Sequence, residues 1–542
     1  MSAGQIVLVS YGEENMFLND EPQISYFKQI YRRYTNFSIE TIQTNFLYKP
    51  DFGQRYSCEI SKYGDLITKM WLVIELPNIP IILNIDGTAD KRLKFAWALK
   101  VAYVLIDYVE ITIGGNVISK HYGEYLANLE TLNPTLFNSK MNEYNGNLPE
   151  LTEFKPTDKV RQSYILRIPL QFWFCINSTQ ALPTLCLEYS TITLNVSFRE
   201  FKACSIITPT NYLSVRSYYG VPIFNEPIVQ YNPDGIAWGA FDSIETDKTT
   251  SNFKTLNYNM YFRKISNIPF QTFDLDYLEN LNIVNILDNF LNKSKYSNYV
   301  IYCLWSKSIL IPTSNFDLLS NQIENKYFYK PFENKLSIIS TYLLVDYAFI
   351  DKAERNIFYN NKHEYLIEQV YFSGDKLTNN NVSSNKVDMI NPCKWVMFMG
   401  QLDYMTNYNV NDYFNYTTLF YKNNQIYAGI PVLNKINILL NDQTITGEIS
   451  MDFYNKFQPF LKFPKSYDTS NGFGIYSFSL YPITIQASGT INLSAFSNIS
   501  INTSFNVIDS NNTNYRIKAY FITLNVFKVI HGVGDMVFNN YY

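Results

Sequence analysis

The segment TITLNVSF, Thr191–Phe198, decides the fold class: Ile192, Leu194, Val196 and Phe198 alternate with Thr191, Thr193, Asn195 and Ser197. Side chains of an extended strand point alternately to opposite faces, so this pattern sends one set into a core and the other to polar surroundings. Upstream, Val109, Ile111 and Ile113 alternate with Glu110 and Thr112 and then meet Gly114-Gly115-Asn116, a tight hairpin turn. Downstream the alternation returns at Tyr476, Phe478 and Leu480, and again at Ile522, Leu524 and Val526. Strands with one apolar and one polar face, recurring from end to end, predict packed antiparallel sheets.

Composition agrees with that reading. The 542 residues include 45 Tyr and 39 Phe, and only 17% are charged. Aromatic and β-branched residues suit a pleated, half-buried surface. A chain of this length exceeds one ordinary core, so two or more domains are expected. The net charge is −4 and no basic run is longer than a pair such as Arg32-Arg33, so direct nucleic acid binding by phosphate neutralisation is not expected. Cys58, Cys175, Cys186, Cys204, Cys303 and Cys393 are irregularly spaced and read as buried free thiols, not as a secreted disulfide framework. The opening MSAGQIVLVSYGEEN lacks the positive region of a secretory signal, and no apolar run reaches about 18 residues. Synthesis in a reducing cytoplasm is the expectation.

Helical signals are few. Pro22–Tyr34 places Ile24, Phe27, Ile30, Tyr31 and Tyr34 at helical spacing, which predicts a short N-terminal helix within an arm of residues 1–36. A second helix is predicted over 352–369, opened by Asp351 and Glu354 in a capping-box spacing, with Ala353, Ile357, Phe358, Tyr365 and Leu366 on one face. It would connect two strand-rich regions, 37–351 and 370–542. These regions repeat one plan: VEITIGGNV (Val109–Val117), ILRIPLQFWF (Ile165–Phe174), LCLEYSTITLNVSF (Leu185–Phe198) and STYLLVDYAFID (Ser340–Asp351) run in the same order as NKINILLNDQ (Asn434–Gln443), GIYSFSLYPI (Gly474–Ile483), GTINLSAFSNISI (Gly489–Ile501) and YRIKAYFITLNVF (Tyr515–Phe527). The shared pentapeptide ITLNV, at 192–196 and 522–526, falls out of step with this pairing and is coincidental. The main asymmetry is a long loop insertion at about 203–336, expected to fold as a surface tower or cap.

Several segments, in order, resemble the major capsid proteins of nucleocytoplasmic large DNA viruses, the double jelly-roll family. They are PQISYFKQIYRRYTNF (Pro22–Phe37), ISKYGDLI (Ile60–Ile67), ITIGGNVISKHYGEYL (Ile111–Leu126), IPLQFWFC…ALPTLCLEY (Ile168–Tyr189), DYAFIDKAERNIF…HEYLIEQ (Asp346–Gln369), NPCKW (Asn391–Trp395), GIYSFSLYP…QASGTINLS (Gly474–Ser494) and FKVIHGVGDM (Phe527–Met536). The insertion carries no such landmark, and Asn441-Asp442-Gln443 stands where the family shows a short Asn/Gly turn. The resemblance implies an all-β chain of two consecutive eight-stranded antiparallel jelly rolls. It also implies a homotrimer forming a pseudo-hexameric capsomer, neighbouring capsomers in an icosahedral shell, minor capsid and penton proteins as partners, and an inner viral membrane beneath.

His363-Glu364 lacks the second His of a zinc protease motif, since position 367 is Ile367. No phosphate-binding glycine loop or nucleophile elbow is present, and Asp346, Asp351 and Glu354 are explained by capping and ion pairing. No catalytic residue, cofactor or metal is expected. The residues expected to matter are Ile24, Phe27 and Tyr31, as an anchor on the inner side of a shell, and Asp351, Glu354 and Arg355, setting the angle between the rolls. The leading reading is a structural capsid protein of the virion. The alternative is a carbohydrate-binding β-sandwich surface protein with sugar-stacking aromatic loops.

Overall fold

The alternating segments become two sets of eight strands, each folded into a pair of facing sheets. The computed structural model describes residues 2–10, 12, 19–28, 31–81, 92–133, 140–232, 235–246, 258–266, 268–272, 300–317, 336–408, 410–418, 421–422, 425–426, 429–463, 472–506 and 514–538. The first roll is built from β1 (Phe37–Asn45), β2 (Arg55–Glu59), β3 (Leu66–Leu76), β4 (Ile106–Ile113), β5 (Asn116–Tyr122), β6 (Tyr164–Pro169) and β7 (Ile192–Phe198). An inserted domain then supplies β8 (Asn211–Tyr219), β9 (Pro227–Asn232), β10 (Gly235–Thr246), β11 (Tyr258–Lys264), β12 (Ile301–Cys303) and β13 (Ile309–Asp317), before β14 (Ser340–Ile350) completes the first roll. The second roll comprises β15 (His363–Phe372), β16 (Val382–Lys386), β17 (Pro392–Leu402), β18 (Leu433–Leu440), β19 (Gln443–Thr444), β20 (Gly474–Ser477), β21 (Ile499–Phe505) and β22 (Tyr515–Ile530).

The strand orders are β1-β14-β3-β6 facing β2-β7-β4-β5 in the first roll, and β15-β22-β17-β20 facing β16-β21-β18-β19 in the second. Substituting each strand by its counterpart turns one list into the other, so the repeat expected from pattern alone holds strand for strand. Long connections between sheets, with the last strand returning beside the first, are the jelly-roll topology. The ITLNV copies fall in β7 and β22, which are not counterparts.

Local chemistry fixes the turns. Gly114 and Gly115 both have positive φ (+60° and +87°) between β4 and β5. At the equivalent place between β18 and β19, Asn441 and Asp442 adopt φ of +46° and +64°. Two consecutive left-handed residues make the primed turn that matches the twist of a hairpin. Asn441 tolerates the conformation because its Oδ1 accepts from the Ser497 and Asn498 backbone amides, each at 3.0 Å.

Three expectations are corrected. Pro22–Tyr34 is not helical: its described residues form turns and extended chain, and the helix near the N-terminus is instead Ala3–Val9, capped by Ser2 and Gln5. Ile24, Phe27 and Tyr31 are exposed and cover no core, so nothing in one chain rewards winding them into a helix. The connector helix is Lys352–Asn360, not 352–369. Tyr365 and Leu366 belong to β15, where pairing with Phe527 and Val526 of β22 outweighs the helical spacing, so the second roll starts at His363 and not at 370. Finally, the long loop insertion at about 203–336, expected as a surface tower or cap, is in its described residues a domain of its own: β8-β11-β10-β9-β12-β13 close into a barrel with a core of Leu213, Val215, Ile228, Met260, Phe262 and Ile301.

The predicted cap of the connector is present. Asp351 Oδ1 accepts from the Glu354 amide at 2.8 Å. Asp351→Ala is expected to lower stability by about 1 kcal/mol in denaturant titrations, and Asp351→Asn, which keeps the acceptor, to lower it far less.

Candidate functional site: the seam between the rolls and the exposed surfaces

The residue that joins the rolls follows from the hairpin chemistry of β5. Directly after that strand the chain winds into the helix Gly123–Leu132, placing Glu124 and Asn128 one turn apart on one face. That face lies against β22 and β17. Glu124 Oε2 accepts from Lys518 Nζ at 3.0 Å and from the Tyr520 hydroxyl at 3.4 Å. Its Oε1 accepts from the Tyr416 hydroxyl at 2.9 Å, which in turn accepts from Asn128 Nδ2 at 2.9 Å. The two charged side chains retain only 6% and 10% of their exposure. Burial, reinforced by the Glu124 carboxylate, holds the Tyr416 and Tyr520 hydroxyls well above the ordinary tyrosine range, so both remain donors.

A ring of further contacts surrounds this network. Gln369 Nε2 donates to the Ile118 carbonyl at 2.6 Å, and Trp173 meets Phe527 with ring centroids 5.6 Å apart. One continuous apolar cluster runs from Val109, Ile111 and Phe172 of the first roll to Trp395, Met397, Ile522 and Phe527 of the second. The C-terminal hairpin clamps the far side: Tyr189 N donates to the Gly532 carbonyl at 3.0 Å and Gly534 N to Ser190 Oγ at 3.2 Å. This close approach accounts for the glycines of FKVIHGVGDM. Gly532 has φ +82°, and a Cβ there would stand 2.6 Å from the Tyr189 ring.

The connector residues bind mainly to the first roll. Arg355 Nη2 donates to Asp65 Oδ2 at 2.7 Å, and the same oxygen accepts from Ile350 N at 3.0 Å. Tyr359 adds a hydrogen bond to Glu188 at 3.2 Å. Asp351, Glu354 and Arg355 therefore seat the end of β14, while the surface between the rolls is built by residues that local pattern did not single out, Glu124 and Lys518 foremost. The inserted barrel is fastened to both rolls. Lys94 Nζ pairs with Asp242 Oδ1 at 2.7 Å, and Ala240 and Ile265 join the core of the second roll; Asn411 Nδ2 of the second roll also donates to the Lys202 and Ser205 carbonyls at 2.7 Å, in the segment that leads into the barrel. On the opposite account, the N-terminal arm contributes exposed apolar groups, with Phe27 100% and Tyr31 84% accessible.

Two family descriptions match the chain: "Major capsid protein N-terminus" over residues 25–231 and "Large eukaryotic DNA virus major capsid protein" over 354–534. Probable capsid protein 4 of Acanthamoeba polyphaga mimivirus is 31% identical over 549 residues, covering 100% of both chains. The chain belongs to the major capsid proteins of large eukaryotic DNA viruses. The major capsid protein of Phaeocystis pouchetii virus is 23% identical, again over 100% of both. Among solved structures, PBCV-1 VP54 superposes with a TM-score of 0.58 at 19% identity, covering 95% of this chain and 100% of that one. The Faustovirus major capsid protein gives 0.58 at 11% identity, covering 94% and 93%. These two share the double jelly-roll fold.

Membership makes this a structural protein of the virion shell, in a family that is not enzymatic, and the carbohydrate-binding alternative finds no support among these relatives. The histidines, cysteines and acidic side chains of these segments have structural work. His363 opens β15, not a helix, with Nε2 2.6 Å from the Phe358 carbonyl and its ring stacked on Phe358. His121 is buried beside Ser119, and burial pushes its imidazole down to about 3, so it stays neutral. Asp346 accepts from Thr41 Oγ1 at 2.6 Å across β1 and β14. The six cysteines are free thiols, five buried and Cys175 half-buried, and burial pushes Cys58 and Cys186 up to about 11. Among the described residues no group of three or more His, Cys, Asp or Glu is placed to hold a metal. Asn195 is buried in β7 and donates to Glu110 at 3.2 Å.

Proposed function

We propose that the chain trimerises into a pseudo-hexameric capsomer, and that these capsomers tile an icosahedral shell, locked by minor capsid and penton proteins over an inner membrane. The observation that supports this most is the fused seam. The buried Glu124–Lys518 network and the shared apolar cluster hold two like rolls side by side as one body, so three copies present six comparable edges to a lattice. A head-to-tail contact closing on a three-fold axis limits its own growth and covers sheet edges. Contacts between capsomers can then be individually weak, since each engages several neighbours at once. The division of the chain into an arm (1–36), a first roll with an inserted barrel (37–351), a short connector and a second roll belongs to the same proposal.

Static light scattering tests it: a stable particle of three times 63.3 kDa, forming sheets or shells at high concentration, is the expected result, and a lasting monomer would contradict it. The exposed arm is assigned to the inner side of the shell. Phe27→Ala/Tyr31→Ala is expected to leave the trimer mass unchanged and to lower the yield of closed shells seen by negative-stain microscopy. Normal shells from that variant would remove the anchoring role.

A further inference from the structure

Each roll places a helix between its fifth-position and sixth-position strands, and the two helices differ in what covers them. Gly123–Leu132, after β5, is buried along almost its whole length, with one side on its own roll and the Glu124–Asn128 side on the second roll. Its counterpart, between β19 and β20, is the π-turn Phe453–Phe457 running directly into the helix Gln458–Lys462. That segment buries Tyr454, Asn455, Gln458 and Pro459 on its own side, and Tyr454 OH donates to the Ile436 carbonyl at 3.1 Å. Its other side carries Phe457, Phe460 and Leu461, which are 60%, 77% and 62% exposed. Large apolar groups at i, i+3 and i+4 form one stripe, and such a stripe facing water marks a contact surface more than scattered surface apolar residues do.

The receiving surfaces differ in the complementary way. Within the chain, the first helix meets β17 and β22 where Met397 pairs with Tyr520 and Met399 with Lys518. The corresponding pairs of β3 and β14 are Trp71 with Leu344 and Val73 with Tyr342. On the second roll this outer face is covered; on the first roll Val73 is buried and the Tyr144 ring lies edge-on to Trp71 at 6.0 Å, but Trp71, Tyr342 and Leu344 remain half-exposed.

We propose that the stripe Phe457, Phe460 and Leu461 docks on the outer face of the β1-β14-β3-β6 sheet of a second copy of this chain, over Trp71, Tyr342 and Leu344. The contact between chains then repeats the contact within the chain, helix of one roll on sheet of the next. It joins two different surfaces, so it is head-to-tail, and alternating inner and outer seams around six rolls closes at three copies. The inference rests on the trimer reading above and adds the residues that build the trimer.

Two variants of the full chain test it. Phe460→Asp/Leu461→Asp is expected to fold normally, since both side chains are exposed, and to run as one chain in light scattering at concentrations at least about tenfold above those where the wild type is trimeric. Phe460→Cys/Leu344→Cys is expected to give disulfide-linked oligomers up to the trimer under mild oxidation, which neither single variant gives. A wild type that is trimeric, with an aspartate variant equally trimeric and no specific cross-link, overturns the docking while the trimer reading stands. A trimeric aspartate variant that has lost only sheet or shell formation also overturns it, assigning the stripe to contacts between capsomers or to a minor partner. A monomeric wild type overturns both readings together.

Discussion

Glu124→Ala is expected to split the two rolls apart, with a loss of about 3–5 kcal/mol. The substitution strands the Lys518 ammonium in a site with 10% of its exposure and deprives two tyrosine hydroxyls of their acceptor. Removing one partner of a buried pair costs far more than the pair contributes, because the remaining charge has no water to turn to. The damage is expected first at the seam, with faster protease cutting of the connector and unfolding in two steps where the wild type shows one. Lys518→Met alone is expected to be of similar severity. The double variant Glu124→Leu/Lys518→Met removes both charges, and its stability, read by denaturant titration, is expected to recover most of the loss. A double variant as unstable as the sum of the singles would mean that the two residues do not act on each other across the seam.

Gly123→Ala is the second substitution of large expected effect, and its reason is space. A Cβ at Gly123 would lie 2.0 Å from the Tyr103 carbonyl oxygen and 2.2 Å from that of Ile106. Neither atom is the end of a flexible side chain; both are main chain in a fully buried stretch, Val101–Leu105 and the start of β4. The helix must therefore shift outward, and any shift moves Glu124, the next residue, out of reach of Lys518. An overpacked core costs about 1–3 kcal/mol where side chains can give, and about 3 kcal/mol or more is expected where only backbone can. Soluble yield and thermal unfolding check it, with Gly115→Ala as the comparison: nothing lies within 4 Å of a Cβ there, so only the cost of its φ of +87° applies.

The strands of both rolls were legible because period-two alternation records a sheet that is buried on one side. Val109–Val117 and Asn434–Gln443 were paired by their order along the chain, and the structure gives each a two-residue left-handed turn, Gly114-Gly115 and Asn441-Asp442. Helices were less legible. Pro22–Tyr34 has the spacing of an amphipathic helix, but spacing states only that one face is apolar and not that a partner exists to receive it. In 363–372 the apolar residues fit both periods, and the ten-residue pairing with β22 decided for strand. The inserted barrel was hidden by its Asn- and Tyr-rich composition, although Leu213 and Val215 alternate with Ser214 inside β8. The seam was beyond local reading altogether. Glu124 and Lys518 stand 394 positions apart, and only the folded arrangement of the two rolls brings them together.

Everything depends on the two rolls being joined into one body that meets its copies edge to edge. A density map of the purified capsomer tests this most directly. The account predicts six similar barrels in a ring about a three-fold axis, with the helix Gly123–Leu132 filling every second gap and the stripe of Phe457, Phe460 and Leu461 filling the others. A map in which the rolls of one chain stand apart, or in which three chains meet through other surfaces and leave these helices in solvent, would contradict it.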